Sequence, residues 1–412
     1  MIRIQKSRNA KIVFNNILAL GILQIAGYIF PLITMPYLAR TLGIVYIGKI
    51  AFAAAIIAYF QTLVDFGFNY TATRDIARCR DNKEKVSLIY SSVMYCKLLL
   101  VISSALFLFL MTLFLDSFKE NSALLWATFL LLPGYAFFPE WLFQGLERMK
   151  YITILNLISK FFFTIAVFFV IKDAKDFIWQ PVLTSLGYMV SGFISFIILR
   201  FRMNIHLVDY RKCSLFQTMK GSSNVFLNQL MPNFYNNFSV TLLGIFGTPN
   251  ANGFFEAGNK LISIASRLLD VVSRAFFPFL SRRIEKHSLY ARFQLGLTGC
   301  CSLALILLAE PLIKFTFSAD FVEAVWVMRL LAISLFFISM THIYGVNYLI
   351  LQGKDRQLRN ITFLASLTGM IIAYPIISVF DYLGAAMVVA VTRMLLGCSI
   401  LYYANKLKKQ QI

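Results

Sequence analysis

Charged residues are scarce in this sequence. They make up 14% of its 412 residues, whereas soluble domains carry about 25%. Hydrophobic residues account for 59% of the chain, which exceeds the roughly 45–50% found in soluble domains. The composition therefore excludes an ordinary soluble globular protein and indicates an integral membrane protein.

Acidic residues are the scarcer charge type, at 19 Asp and Glu against 39 Lys and Arg. A net charge of +20 could indicate a nucleic-acid-binding protein. However, the basic residues alternate along the chain as membrane topology requires, with about 25 of them in predicted cytoplasmic segments. The predicted outside loops hold only Arg40, Lys119, Lys172, Lys175 and Lys314. Nucleic-acid binding is therefore not expected, and both termini are predicted to be cytoplasmic.

Cysteine and histidine are also scarce, and a nucleotide-binding motif is absent from the sequence. None of the six cysteines falls in a predicted outside loop and none forms a CxxC pair, so we expect neither a disulfide framework nor a paired-cysteine metal site. His206, His287 and His342 have no metal-ligand spacing. The sequence has no GxxxxGK[ST] motif, so it does not encode direct coupling to ATP. We expect no cofactor.

Twelve apolar runs are long enough to cross about 30 Å of hydrocarbon. They cover approximately residues 12–36, 44–67, 86–114, 122–145, 151–171, 178–199, 215–246, 251–279, 290–317, 322–351, 359–380 and 383–405. The first run is too long for a signal peptide and lacks a small-residue cleavage site. The predicted fold is an all-α polytopic membrane protein.

Two internal repeats relate the two halves of the chain. QGLER at 144–148 recurs as QGKDR at 352–356, 208 residues later, and each follows an apolar helix. A looser match at an offset of 205 relates Gly48 to Gly253, Asp65 to Asp270 and Arg78 to Arg283. We therefore predict two parallel six-helix bundles, residues 1–205 and 206–412, around a central cavity. Such halves can rock against each other and expose a central site to alternate sides, as transporters do.

The predicted helix at 251–279 carries an unusual number of charges. At about 100° per residue, five of them fall on one helical face. They are Glu256, Lys260, Arg267, Asp270 and Arg274, and Asn252 and Ser263 share that face. We refer to these five charges as the charged stripe. A charged stripe in a membrane helix must face protein or water, so its members are candidate lumen residues.

Two longer motifs accompany the basic start and the twelve helices. They are DFGFNYTATRDIAR at 65–78 and PEWLFQGLERM at 139–149. Together these features resemble Wzx-type O-antigen and polysaccharide-unit flippases of the multidrug/oligosaccharidyl-lipid/polysaccharide exporter superfamily. The resemblance implies movement of an undecaprenyl-diphosphate-linked oligosaccharide from the cytoplasmic to the periplasmic leaflet of the bacterial inner membrane. It also implies the lipid bilayer, a polysaccharide polymerase and a chain-length regulator as partners.

Such a substrate needs cations for its diphosphate. Arg267 lies near the centre of the charged helix, with Arg274 two turns away, and Lys97 lies near the centre of the third helix. Arginine is suited to phosphate because its guanidinium forks onto two oxygens. Alternatively, both arginines only neutralise Asp270, and the other two charges of the stripe neutralise each other, at helical-neighbour spacing.

The seventh predicted helix supplies hydrogen-bonding groups for a sugar. Asn228 and Asn236 are the candidate ligands, in a cluster with Asn224, Gln229, Asn233 and Asn237 around Pro232. Amides both donate and accept, which suits sugar hydroxyls. Each amide could equally serve packing between helices.

Three further charges lie within predicted helices. Asp65 either carries a coupling ion or pairs with Arg74. Glu140 is expected to pair with Arg148, and Arg393 either lines the cavity or braces the bundle. Because moving one charge through the membrane is worth about 2.3 kcal/mol per 100 mV, an anionic diphosphate is driven outward without a coupled cation. Proton or sodium antiport through Asp65 or Asp270 stays open.

Three other functions are compatible with a polytopic protein of this kind. A multidrug or cation antiporter of the same superfamily should have an acidic lumen, and the arginines of the charged stripe argue against one. A lipid II flippase would, by family resemblance, have two additional helices. A membrane polysaccharide polymerase or glycosyltransferase would resemble chains with a large outside loop, whereas every predicted outside connection here is short.

Overall fold

The structure is a computed structural model that describes residues 21–407 except 25, 28, 228, 231–236 and 278; for these, for 2–20 and for 408–410 only the helical course of the backbone is given. The α-helices are α1 Ile2–Asp65, α2 Phe68–Cys79, α3 Lys83–Phe114, α4 Asp116–Glu120, α5 Ser122–Phe129, α6 Leu131–Phe137, α7 Glu140–Gly145, α8 Met149–Val170, α9 Trp179–Ile197, α10 Leu215–Phe246, α11 Ala251–Arg282, α12 His287–Leu307, α13 Ala309–Thr316, α14 Ala324–Met340 and α15 Asp355–Gln410. π-Helical segments Ile198–Arg202 and Thr341–Ile350 continue α9 and α14. No strand occurs in this part of the chain, and the all-α polytopic prediction is confirmed.

Each of the twelve predicted spans corresponds to a helical segment, but two pairs of spans run together. α1 contains the first two spans, and Gly43, with φ 75° and ψ 177°, interrupts its helical geometry. α15 contains the last two, and Asp381, with φ 50° and ψ −127°, interrupts it. Among the described residues, eight helical stretches are long and apolar enough to cross a membrane. α11 is not one of them, since the charged stripe runs through it.

The fourth predicted span is divided into α5, α6 and α7. Pro133 lies in the first turn of α6, where its missing N–H costs little, and Pro139 immediately precedes α7. The break lets α7 pack against α2. Gly145 lies so close to Ile76 that an added Cβ would approach its side chain to 2.9 Å.

The chain forms two compact units. The first comprises Met1–Leu42 and Ile56–Leu230, and the second comprises Gly43–Ala55 and Met231–Ile412. α1 and α10 therefore each contribute to both units. The predicted division at residues 205 and 206 stays a prediction.

The core of the second unit is built around α14. Leu331 and Leu335 are fully buried in it. Small residues bring its neighbours close: an added Cβ on Gly258 of α11 would approach Val327 to 2.7 Å, and one on Gly397 of α15 would approach the carbonyl of Phe337 to the same distance. This packing holds α11 with one face in the core and leaves its other face half-exposed.

The two QGxxR motifs lie at matching helix ends. Glu147 and Gly353 both adopt positive φ, at 58° and 67°. In each turn the N–H of the next residue donates to the carbonyl five residues earlier, at 2.8 and 2.9 Å, as in a left-handed helix cap. Both motifs therefore form tight turns, and the distribution of lysine and arginine predicts that these turns are cytoplasmic. The two positive-φ residues are 206 residues apart. This separation is closer to the 205-residue offset of the looser match than to the 208-residue offset of the QGxxR motifs.

Candidate transport site

α11 carries the charged stripe on the side away from its core contacts. Phe255, Ile262 and Leu269 are buried on the opposite side. Lys260 Nζ lies 3.5 Å from Glu256 Oε1, one turn apart, and both side chains are partly exposed. These two charges therefore neutralise each other, as the spacing alone allowed.

Asp270 has one ion-pair partner and one titratable neighbour. Arg274 Nη2 lies 2.9 Å from its Oδ2, one turn along α11. His342 Nδ1, in the π-helical segment after α14, lies 3.6 Å from its Oδ1. The sequence pattern assigned His342 no role, because the contact depends on how a distant segment packs. The carboxylate is thus paired with a permanent cation, and it adjoins a titratable group that would form an ion pair with it only when protonated.

Arg267 is the exception in the charged stripe. Its side chain is exposed and makes no ion pair or hydrogen bond with the residues that the structure describes. The interpretation that both arginines only neutralise Asp270 thus fits Arg274 and does not fit Arg267. With two acidic and three basic members, the stripe carries one cation for which the described part of the chain provides no partner.

Arg393 joins two helices of the second unit. Its Nη1 donates to Ser334 Oγ at 2.9 Å, and Ser334 is fully buried on α14. Of the two predicted roles, this contact supports bracing between α15 and α14.

The first unit contains a buried ion pair that is independent of the stripe. Lys97 Nζ lies 3.4 Å from Asp65 Oδ1, with the side chains 1% and 12% exposed. Asn69 Nδ2 donates to the other carboxylate oxygen at 2.7 Å, and the Lys97 ammonium lies 5.2 Å from the ring centre of Tyr135. Lys97 is therefore paired and inaccessible here, which removes the support for it as a phosphate ligand.

The partners expected for the two buried carboxylates are wrong. Arg74 Nε pairs with Asp75 Oδ1 at 2.9 Å and leaves Asp65 to Lys97. Glu140 accepts from Asn156 Nδ2 at 2.8 Å instead of pairing with Arg148. Glu140 begins α7 and Arg148 follows the turn after it, so the two residues lie at opposite ends of this short helix.

Sequence reasoning missed several polar residues that complete this cluster. They are Asn69, Tyr135, Asn156 and Lys160, of which Lys160 contributes with Lys97 to the electrostatic environment of Glu140. The sequence did contain a signal for two of them, since Asn156 and Lys160 lie one turn apart in the otherwise apolar α8.

The amide cluster of α10 is only partly visible. Asn228 and Asn236, together with Pro232, lie outside the described residues. Asn224 is exposed and Ser239 is buried. The predicted sugar-binding role of the two asparagines stays a prediction.

The protein-family comparison matches residues 13–284 to the model described as polysaccharide biosynthesis protein. The chain belongs to this polysaccharide biosynthesis protein family. Two relatives carry the name "Putative O-antigen transporter". The one from Escherichia coli K12 is 28% identical over 403 residues, which is 95% of this chain and 97% of the relative. The one from Shigella dysenteriae is 28% identical over 395 residues, with 92% and 97% covered.

Solved structures share the fold of this family member. The lipid II flippase MurJ in an inward closed conformation aligns with a TM-score of 0.73 at 14% identity, covering 93% of this chain and 87% of that one. A MATE transporter from Vibrio cholerae aligns at 0.59 and 15% identity, covering 98% of each chain. The protein is a multi-pass membrane protein of the polysaccharide biosynthesis protein family and, like the relatives named transporters, not an enzyme.

Proposed function

We propose that this protein is a flippase for an undecaprenyl-diphosphate-linked oligosaccharide, an O-antigen or similar polysaccharide repeat unit. It would move this lipid from the cytoplasmic to the periplasmic leaflet of the inner membrane by alternating access. The observation that carries the proposal is Arg267, an exposed arginine of α11 that has no ion pair or hydrogen bond with the described residues, in a chain whose relatives are named O-antigen transporters.

An unpaired arginine within a membrane helix calls for an anion. A charged group in hydrocarbon is costly unless it meets water or an opposite charge. The diphosphate of a lipid-linked sugar supplies that charge, and a guanidinium can bind it through two parallel hydrogen bonds. Arg274 is 78% exposed, so its guanidinium can add a second contact to the diphosphate.

The sugar and the tail need different surroundings. In the proposal, Asn228 and Asn236 of α10 bind sugar hydroxyls, since amides donate and accept. The isoprenoid tail stays in the bilayer. A polymerase and a chain-length regulator then act on the exported unit.

The arrangement of carboxylates argues against a cation antiporter. Asp65, Glu140 and Asp270 all have partners that already satisfy them. Export of an anion is driven outward by the membrane potential, so coupling to an ion is not required. If a proton or sodium ion is coupled, the Asp270–His342 pair is the place we propose for it, since it combines a titratable group with the charged stripe.

Deletion of the gene tests the proposal. We expect lipid-linked sugar units to accumulate in the cytoplasmic leaflet, and the wild-type gene to restore export. Arg267→Ala should fail to restore it at normal membrane abundance. Arg292→Ala, which removes an exposed arginine from α12, is the matched control and should restore it. Normal export after deletion, with greater sensitivity to cationic drugs, would instead identify a multidrug antiporter.

A further inference from the structure

A cavity of ≈ 200 Å³ opens in the first unit, between α2, the beginning of α3 and the beginning of α10. We call it the α2–α10 pocket. One wall is apolar and includes Phe68, Leu88 and Val93. The rest is polar and includes Arg74, Lys212, Gln217 and Thr218. None of these residues belongs to the transport site described above.

The backbone beside the pocket adopts an uncommon conformation at two successive residues. Phe66 and Gly67 both have positive φ, at 42° and 76°, and they turn the chain between α1 and α2. Positive φ is unfavourable for a bulky residue such as phenylalanine, so surrounding contacts must maintain it. Gly67 packs against Val225 so closely that an added Cβ would come within 2.9 Å. The turn thereby fixes α2 against the first turns of α10.

A hydrogen bond completes this contact. The hydroxyls of Thr71 and Ser222 are 2.7 Å apart, and both residues are buried at the floor of the pocket. Beside them, Gly221 faces open space, because an added Cβ would meet no atom within 4 Å. The pocket is therefore a preformed cavity, with a fixed floor and an unfilled side.

The polar lining has spare capacity for an anion. Arg74 Nε is bound to Asp75 Oδ1, which also lines the pocket, so these two charges balance. Lys212 and Gln217 are exposed, and their side chains make no hydrogen bond with the described part of the chain. The lining thus carries one net positive charge and an unused amide. Beside it, Leu88 of the apolar wall is 38% exposed.

An apolar wall next to a cationic rim suits a phosphate that is attached to a hydrocarbon chain. Free inorganic phosphate would gain nothing from the wall, whereas a lipid buries apolar area against it. On the predicted topology, the pocket opens at the cytoplasmic surface, since the connections before α3 and before α10 are cytoplasmic.

We propose that the α2–α10 pocket binds the phosphate group of a lipid in the cytoplasmic leaflet, with Lys212 as its cation and the amide of Gln217 as a further donor. This deepens the proposed function and rests on its topology. The lipid is either an anionic phospholipid or the isoprenoid carrier itself, because both present the same phosphate chemistry.

Native mass spectrometry of the purified full-length protein tests this proposal. Phosphatidylglycerol and undecaprenyl phosphate are added separately, and phosphatidylcholine serves as the neutral lipid. We expect a bound anionic lipid whose affinity falls about tenfold in Lys212→Gln, as for loss of one charge-assisted hydrogen bond. Lys83→Gln removes an exposed charge outside the pocket and should have no effect. Gly221→Leu should weaken binding without changing charge, since its side chain would occupy the open side.

Each outcome is informative. If Lys212→Gln weakens the binding of phosphatidylglycerol alone, the pocket is a phospholipid site. If it weakens the binding of undecaprenyl phosphate, the pocket is a site for the carrier. Equal effects of Lys212→Gln and Lys83→Gln, or no effect of Gly221→Leu, overturn the proposal. Lys212 is exposed and its side chain makes no hydrogen bond or ion pair with the described residues, so its variant should elute like the wild type in size exclusion. Arg267→Ala should keep this lipid while losing export, which separates failure of the pocket from failure of the proposed function.

Discussion

Gly48 and Gly253, which the 205-residue repeat relates, lie against each other: a Cβ built on Gly48 would approach the backbone nitrogen of Gly253 to 2.7 Å. A Cβ on Gly253 would in turn overlap the carbonyl oxygen of Ile44. Membrane helices approach this closely only through small residues. Contact between equivalent positions is also what a duplication predicts for helices beside its symmetry axis.

Alanine at either of these glycines should destabilise the protein. Glycine to alanine in an open helix normally stabilises by about 0.5–1 kcal/mol. At Gly48 and Gly253 overpacking should reverse the sign, to a loss of about 1–3 kcal/mol. Gly296→Ala in α12, where an added Cβ meets nothing within 4 Å, is the control. Thermal unfolding in detergent measures all three, and equal effects would show that the close contact is absent.

Asp65 and Asp270 are the other informative pair of repeat-related residues, because their surroundings differ. Asp65 ends α1 and is buried against Lys97. Asp270 lies within the uninterrupted α11, half-exposed, between Arg274 and His342. Of these two repeat-related carboxylates, Asp65 therefore serves the structure, while Asp270 lies one turn from Arg267, which has no partner among the described residues.

Removal of one partner of the buried pair should be more harmful than removal of both. Loss of one member leaves an unpaired buried charge and costs about 3–5 kcal/mol, whereas an apolar replacement of the pair is close to neutral. We expect Lys97→Met to lower membrane abundance, and the Asp65→Asn, Lys97→Met double variant to recover it. Abundance is measured by immunoblot of membranes. Recovered abundance without recovered export would instead assign the pair a role in transport.

The helices were predictable because the apolar runs record membrane thickness. Their continuity was not. Whether two spans join into one helix, as in α1 and α15, depends on the φ and ψ of single residues such as Gly43 and Asp381. The fourth predicted span, at 122–145, is divided into three helices at its prolines. The high hydropathy of this run gave no sign of the division.

The contacts of the candidate site were likewise predictable only in part. The ion pairs of Lys260 with Glu256 and of Arg274 with Asp270 depend only on spacing along one helix, so the sequence could offer them as one of two alternatives. Lys97 and Asp65 lie on different helices, and His342 reaches Asp270 only because of how its segment packs. No local pattern encodes contacts of this kind. Which arginine stays unpaired was likewise visible only in three dimensions.

A double-mutant cycle should separate the two arginines of the charged stripe. Asp270 and Arg274 are paired, so Asp270→Asn and Arg274→Gln should be non-additive in stability, by up to about 1 kcal/mol for an exposed pair. Asp270→Asn and Arg267→Gln should be additive. For export, Arg267→Lys should impair transport despite the preserved charge, because lysine has no fork. Restoration of export by Asp270→Asn in an Arg267→Gln background would show that Arg267 serves as an ion-pair partner.

Reporter fusions should place both QGxxR turns in the cytoplasm. The distribution of lysine and arginine requires it, since their excess lies on that side of the bilayer. An enzyme that is active only outside the inner membrane should be inactive when fused after residue 150 or residue 355, and active when fused after residue 175. Activity at either of the first two positions would invert the predicted topology and the direction of transport with it.

Cysteine accessibility should show whether the charged stripe faces water. In a background without the six native cysteines, cysteine at Glu256, Ser263 or Arg267 should react with a polar thiol reagent, since these positions are half-exposed or exposed. Their neighbours Phe255 and Ile262 are buried in the core of the second unit and should stay unlabelled.

Leu268 makes this experiment sharper. It points about 100° around the helix from Arg267, and the structure leaves it 55% exposed. An exposed leucine beside Arg267 faces either lipid or water, and a membrane-impermeant reagent distinguishes the two because thiols ionise and react in water. We expect Arg267→Cys to react and Leu268→Cys to resist, so that the boundary between lumen and lipid runs between adjacent residues. Equal labelling of both positions, or of neither, would remove the basis for a hydrated cationic lumen along α11.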